Sequence, residues 1–290
     1  MTGVRWPWVS AAVDRMVAEA TRIPYPEVAH SPEEYLARIS RTTVARKYLH
    51  KRWSLRRAST LVERATIPRG SRVLWLHTGK PNFGDVLMEL SCRKLLQEQD
   101  FRVDLLTLPK LAPLFAEDEV FGQVHTDPAA VNPADYDVVL LQEYNHPSLR
   151  LLRRYFRHLP HACLFRYFYG PARNQTTFGF HAANRVFGLG LSPAEVDRRC
   201  APYLTVSEGT RESVCSLLPQ APFVALSLGG IDPRRTYSRW PEVLALWGQS
   251  RMREGLGPLD VVLLGSDNGA AMQASLMEAP PAGVRLTPLV

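Results

Sequence analysis

Between Arg72 and Leu96 the spacing of hydrophobic positions changes twice. Val73-Leu74-Trp75-Leu76 is an unbroken apolar run, the pattern of a strand buried on both faces. His77-Thr78-Gly79-Lys80-Pro81-Asn82-Phe83-Gly84 is a polar turn containing glycine, and Asp85 then opens apolar positions at helical spacing as far as Gln97. The alternation continues downstream. Val103 to Leu108 and Tyr136 to Leu141 predict strands, the second ending in Gln142-Glu143-Tyr144-Asn145-His146, and Arg150 to His158 predicts a basic helix. Phe165 to Gly190, rich in aromatics, glycine, arginine and asparagine, reads as a site-lining excursion rather than a core element, and Ala194 to Leu218 as polar helix and linker. Phe223 to Leu228 restarts the pattern, followed by a helix from Pro241 to Trp247 and strands at Val261 to Gly265 and Val284 to Leu289. Strands alternating with helices imply parallel sheets. The predicted fold class is therefore α/β, with two Rossmann-like units in tandem over residues 71–219 and 220–290.

Residues 1–70 predict a helical extension. Ala11 to Thr21 carries Val13, Met16, Val17 and Ala20 at helical spacing, and Ser31-Pro32-Glu33-Glu34 is a capping box with proline at the first helical position. A second helix is thus expected to start at Ser31 and run through Leu36, Ile39, Tyr48 and Trp53. The extension holds thirteen Lys or Arg against six Asp or Glu, which equals the whole net charge of +7. Everything after Gly70 is neutral in sum. Arg46, Lys47, Lys51, Arg52, Arg56 and Arg57 crowd the end of the second helix, where cations suit the dipole. Two readings stand: a solvated basic helix packed on the body by its aromatics, or docking of residues 31–57 on an anionic membrane surface. No nucleic-acid motif accompanies the charge, so nucleic acid is not an expected partner.

With 46% hydrophobic residues over 290 positions, the chain buries a substantial core. No apolar run approaches the ~18 residues of a membrane span, and Pro7 and Asp14 cut the first apolar stretch, so the default expectation is a cytoplasmic location. Cys92, Cys163, Cys200 and Cys215 lie far apart without clustered histidines, which predicts reduced structural thiols and no metal site.

The first turn carries the chemistry. Gly79 and Gly84 have the glycine spacing of a phosphate-binding loop, but the Lys-Ser/Thr such a loop needs is replaced by Asp85-Val86. A carboxylate there repels phosphate and suits a neutral hydroxyl instead. The alternative is that Asp85 only caps a helix.

Phe83-Gly84-Asp85-Val86-Leu87, the segment Leu105 to Phe115, and Leu226-Ser227-Leu228-Gly229-Gly230 through Ser238-Arg239-Trp240-Pro241 occur in that order. In this order and spacing the chain resembles the heptosyltransferases of glycosyltransferase family 9. The resemblance implies a GT-B-like architecture, with an N-terminal acceptor-binding domain and a C-terminal nucleotide-sugar-binding domain. It also implies an inverting, metal-independent transfer in which Asp85 accepts the proton of the acceptor hydroxyl. A helix N-terminus favours the charged carboxylate, and a base needed only late in the reaction works in that form. No cofactor is implied. The donor would be a nucleotide-sugar of ADP-heptose type, and the acceptor a lipopolysaccharide or other surface glycan or glycolipid at the inner membrane face. Thr78, Gly79, Asn82, Gly84, Asn145 and His146 are the expected acceptor contacts. The family places a lysine two residues before the tryptophan, where this chain has Ser238. Charge for the leaving diphosphate is then expected from Arg239, Arg234 and Arg235, with the backbone of Gly229 and Gly230, the helix start at Trp240, and Gly265 and Ser266 completing the donor site. Family members continue past a strand like Val284 to Leu289 into a donor-binding segment, so the second domain is expected to be truncated at Val290. Asn82-Phe83-Gly84-Asp85 is also similar to a turn of the polysaccharide pyruvyltransferases, a second enzyme reading. A non-catalytic glycan-binding or assembly protein is the third.

Overall fold

A computed structural model describes residues 7–22, 33, 36–37, 39–56, 61–79, 81–166, 175–229, 236–265 and 267–289. Two compact units divide the chain, Met1–Val206 and Ser207–Val290.

The first unit is built on five parallel strands: β1 (Arg72–His77), β2 (Arg102–Thr107), β3 (Phe121–His125), β4 (Val138–Leu141) and β5 (His161–Cys163), in the order β3-β2-β1-β4-β5. Alternate side chains face opposite layers, as the pleat requires. Val73, Trp75, Leu105, Val138, Leu140 and Ala162 pack into one core, while Leu74, Leu76, Leu106, Val139, Leu141 and Cys163 pack into the other. Two of the five strands, β3 and β5, have no counterpart in the sequence reading. Their residues are short and polar-flanked, and pairing with β2 and β4 makes them strands.

The helix after β1 departs from expectation at both ends. It is α-helical over Phe83–Leu90 (α3 below) and tightens to a 3-10 helix over Ser91–Leu96. Asp85 is therefore the third helical residue rather than the first, and Asn82 holds the cap position. The Ser91 hydroxyl explains the change: it bonds back to the Leu87 carbonyl and accepts the Tyr203 N–H, pulling an incoming segment against the helix end.

The predicted excursion from Phe165 to Gly190 is corrected in its second half, while residues 167–174 lie outside the described residues. Gln175–Val186 forms a helix that buries Phe178, Phe180, Ala182 and Ala183. Gly179 faces Cys92 just past the end of α3, where an added Cβ would make an ordinary contact 3.6 Å from Cys92 Sγ. Its glycine and polar residues lower local helix propensity, and tertiary packing overrides them. The basic helix expected from Arg150 begins earlier, over His146–Tyr155, because Asn145 accepts the Ser148 N–H at 2.9 Å and caps it. Between Ala194 and Leu218 the polar stretch is two capped helices, Pro193–Arg199 and Glu208–Leu217.

In the extension, α1 (Pro7–Thr21) and α2 (Arg41–Arg56) bury Val17, Ala20, Val44, Ala45 and Tyr48 against each other. A single helix from Ser31 to Trp53 is not what forms. The chain bends at Ile39, and Ser40 caps a new helix by accepting the Thr43 N–H at 3.3 Å. Ser31 and Pro32 of the expected capping box lie outside the described residues. The cations also sort by face more sharply than the sequence suggested: Arg46, Lys47, Arg52 and Arg56 are exposed, but Lys51 turns inward with Val44, Ala45, Tyr48 and Ser54.

The second unit has three parallel strands, β6 (Phe223–Ser227), β7 (Leu259–Leu264) and β8 (Val284–Pro288), in the order β6-β7-β8. The helix predicted to stop at Trp247 runs over Trp240–Arg253 (α8). It packs closely at Gly248, where an added Cβ would run into the Ala282 carbonyl oxygen. Gly283 turns that chain with φ 75°.

One interaction fastens the first unit together. The Arg93 side chain is wholly buried and meets an equally buried Asp118 at 2.6 and 2.9 Å. Asp118→Leu is expected to lower stability toward urea by about 3–5 kcal/mol, because it leaves a buried guanidinium unpaired. The double variant with Arg93→Leu should recover most of the loss. A double variant no more stable than the single one would remove the pair from this role.

Candidate functional site

Strand order β3-β2-β1-β4-β5 places the direction change between β1 and β4. Chains leaving these two carboxyl ends diverge, and the crevice between them is where open α/β sheets bind ligands. The turn after β1 brings Thr78, Gly79, Asn82, Gly84 and Asp85 there, and the loop after β4 brings Asn145 and His146. Contacts join the two loops. Thr78 Oγ1 lies 3.4 Å from Ser148 Oγ, and a Cβ on Gly79 would stand 3.0 Å from Asn145 Nδ2. A larger residue at position 79 would require the Asn145 side chain to shift by a few tenths of an ångström.

Asp85 is half-buried in the first turn of α3, and Asn82 Nδ2 donates to its Oδ2 at 3.0 Å. Asn82 thus orients the carboxylate instead of capping the helix backbone. Asp85 Oδ1 has no hydrogen-bond partner among the described residues.

One turn further along α3, Glu89 points into the protein and meets His77 at 2.9 Å, with both side chains almost fully buried. The Glu89 carbonyl accepts from Gln142 Nε2 at 3.3 Å, and the His77 carbonyl accepts from Thr107 Oγ1 at 2.9 Å. Residues at the ends of β1, β2 and β4 therefore hold α3, and with it Asp85. His77 Nδ1 and Gln142 Oε1 are buried without hydrogen-bond partners among the described residues. This cluster was missed in the sequence, although the spacing of Asp85 and Glu89, four residues apart on a helix, was a usable signal.

The extension reaches the same edge. Lys51 Nζ lies 3.0 Å from Glu143 Oε2 in the loop after β4, and the rings of His50 and His146 are 6.1 Å apart. Lys51, which belongs by sequence to the basic cluster at the end of the second helix, is therefore a buried partner of this loop and not a surface cation.

In the second unit, Gly229 follows β6 and Gly265 follows β7. A Cβ on Gly229 would lie 3.1 Å from the Gly269 nitrogen, so these two turns touch. Arg239 occupies the cap position of α8 and is paired at 3.7 Å with Glu242, both exposed. Ser238 is exposed, and half-buried Trp240 stacks edge-on with Tyr237 at 5.1 Å, anchoring the helix start to the core. Gly230, Arg234, Arg235 and Ser266 lie outside the described residues.

The cysteines are unpaired thiols. Burial pushes the Cys92 thiol up to about 12, which keeps it neutral and unreactive. Among the described residues no three His, Cys, Asp or Glu side chains gather as a metal site, and no helix is long and apolar enough to cross a membrane.

No protein-family model matches this sequence, and no curated protein matches it. Solved structures do. A glycosyl transferase of family 9 from Veillonella parvula is similar over 78% of this chain and 72% of its own, at 13% identity and a TM-score of 0.54. The E. coli ADP-heptose lps heptosyltransferase II is 15% identical over 72% of this chain and 68% of its own, with a TM-score of 0.48. The E. coli heptosyltransferase WaaC with ADP is 13% identical over 76% and 75%, with a TM-score of 0.46. Two parallel α/β units and the likeness to the Veillonella protein together show that this chain has a GT-B-like fold, shared with that glycosyl transferase.

Proposed function

We propose that the protein is an inverting, metal-independent glycosyltransferase that moves a heptose-like sugar from a nucleotide-sugar donor to a surface-glycan acceptor. The carrying observation is Asp85, held through Oδ2 by Asn82 at the β1 and β4 carboxyl edge, with Oδ1 making no hydrogen bond among the described residues. In the reaction the acceptor hydroxyl attacks the anomeric carbon, its proton passes to Asp85 Oδ1, and the bond to the nucleoside diphosphate breaks. The transition state is oxocarbenium-like, so positive charge builds on the sugar while negative charge builds on the leaving diphosphate. Backbone N–H groups after β6 and at the start of α8, with Arg239, are the groups proposed to meet that negative charge. The sequence resemblance is what supports a donor of ADP-heptose type. The pyruvyltransferase and non-catalytic readings have no structural observation favouring them.

Around α2, exposed Arg46, Lys47, Arg52 and Arg56 stand beside Leu49 and Trp53, which are 51% and 53% exposed. Cations beside exposed apolar side chains suit the interface of an anionic membrane. This supports attachment near a lipid-linked acceptor, with Lys51 not counted because it is turned inward.

Asp85→Asn is expected to leave the thermal transition nearly unchanged while sugar transfer falls by at least ~10²-fold, the scale for losing a general base. Asn82→Ala should cost about tenfold, equivalent to ~1.4 kcal/mol and within the range for one hydrogen bond to a charged group. Transfer by Asp85→Asn within a few fold of the parent would rule out the base assignment. For the donor, Arg235→Ala combined with Arg239→Ala should weaken nucleotide-sugar binding in titration calorimetry. Unchanged affinity would remove both from the site. Finally, each basic residue near an anionic surface contributes on the order of 1 kcal/mol, screened by salt. Cosedimentation with anionic liposomes should be lost at high salt and in Arg46→Glu/Arg56→Glu, while equal pelleting with neutral lipid would return α2 to a packed, solvated helix.

A further inference from the structure

A cavity of about 220 Å³ lies beside the edge strand β5, walled by the segment at Glu63 and Arg64, by Cys163 and Arg166 at the strand end, and by Ala182 and Arg185 of the helix Gln175–Val186. It is two strands from β1, so at the usual strand spacing it is roughly 10 Å across the sheet from the Asp85 turn. The proposed transfer chemistry uses none of its residues.

Arg166 is unusual. Among the described residues it is the only non-glycine with positive φ, at 49°. Such a conformation persists where surroundings over-determine it, and such positions cluster at functional sites. Here the Arg166 N–H donates to Cys163 Sγ at 3.2 Å, its carbonyl accepts from the Tyr144 N–H at 3.3 Å, and its guanidinium meets Glu63 at 2.7 Å and donates to the Tyr144 hydroxyl. The strained backbone thus delivers a planar, fixed guanidinium to the cavity wall. Arg64 and Arg185 add two more, so the lining carries three guanidinium groups against one carboxylate. Burial holds the Cys163 thiol neutral, making it a floor rather than a nucleophile.

We propose that this cavity binds the phosphate monoester of a small polar molecule such as a sugar phosphate. Three guanidinium groups beside a single carboxylate on the lining suit the roughly −1.5 to −2 charge of a phosphate monoester at neutral pH better than a monocarboxylate. Guanidinium forks fit its oxygens in bidentate geometry. The volume exceeds the ~150 Å³ of a cavity that takes benzene, leaving room for a phosphate with a small carbon body. Binding here is independent of sugar transfer.

Titration calorimetry of the full chain at low salt tests it, with glucose 6-phosphate as probe and glucuronate as the singly charged comparator. Glucose 6-phosphate is expected to bind one to one, at least tenfold tighter than glucuronate, and to be displaced by inorganic phosphate. Arg64→Ala/Arg185→Ala, both exposed positions, should weaken it at least tenfold, whereas Arg46→Glu/Arg56→Glu on α2 should leave it unchanged. Absence of binding, equal affinity for glucuronate, or an unaffected Arg64→Ala/Arg185→Ala variant would each overturn the assignment.

Discussion

A guanidinium withdrawn completely from water has to be satisfied at every donor, and Arg93 imposes that condition on the first unit. Asp118 takes two of its bonds, the carbonyls of Leu90 and Tyr203 take two more, and the rings of Phe115, Phe121 and Tyr203 lie within 5.6 Å of its centre. Asp118 in turn accepts the Val120 and Phe121 N–H groups at the start of β3. Three segments far apart in sequence must therefore arrive together, or a charge is left buried without a partner. Since Arg93 lies on the 3-10 continuation of α3, the same anchor steadies the helix that carries Asp85.

At the other end of α3 the constraint is the geometry of a parallel sheet. Crossovers on opposite sides of β1 and β4 leave a crevice at their carboxyl ends, and the residues from Thr78 to Asp85 and Asn145 to His146 fall there because turns after parallel strands open at that edge. Buried polar bonds then turn a topological gap into a defined surface. Glu89 with His77, Gln142 on the Glu89 carbonyl, and Thr107 on the His77 carbonyl tie the helix to three strand ends. Asn82 adds the final orientation of Asp85.

In the second unit β7 is buried along most of its length, whereas β6 forms an edge among the described residues and leaves Phe223 38% exposed. Its loops meet through glycines: Gly229 and Gly269 approach closely because neither carries a Cβ. A cross-strand pair, Arg285 to Asp260 at 2.6 and 2.8 Å, fixes the register of β8 on β7.

Much of this was legible in the residues themselves. Continuous apolar runs such as Val73 to Leu76 and Val138 to Leu141 announce strands buried on both sides, since only that environment takes hydrophobic residues without alternation. The turn from Thr78 to Asp85 stood out because its glycines and carboxylate sit at a fixed place between strand and helix. What stayed hidden depends on partners distant in sequence. His161–Cys163 becomes a strand by pairing with β4, and Gln175–Val186 becomes a core helix by burying Phe178 and Phe180 in the same apolar cluster as Leu90 and Cys92. Lys51 looked like one more surface cation until Glu143, ninety-two positions away, drew it inward. Local spacing encodes periodicity and turn chemistry within one element, so the sequence by itself determined the parallel α/β class and that Asp85 lies where the first strand's turn gives way to a helix, though not its place within that helix. Which charges are buried, which short segments become strands and which side chains share a cavity are properties of long-range pairing, and only the tertiary structure decided them.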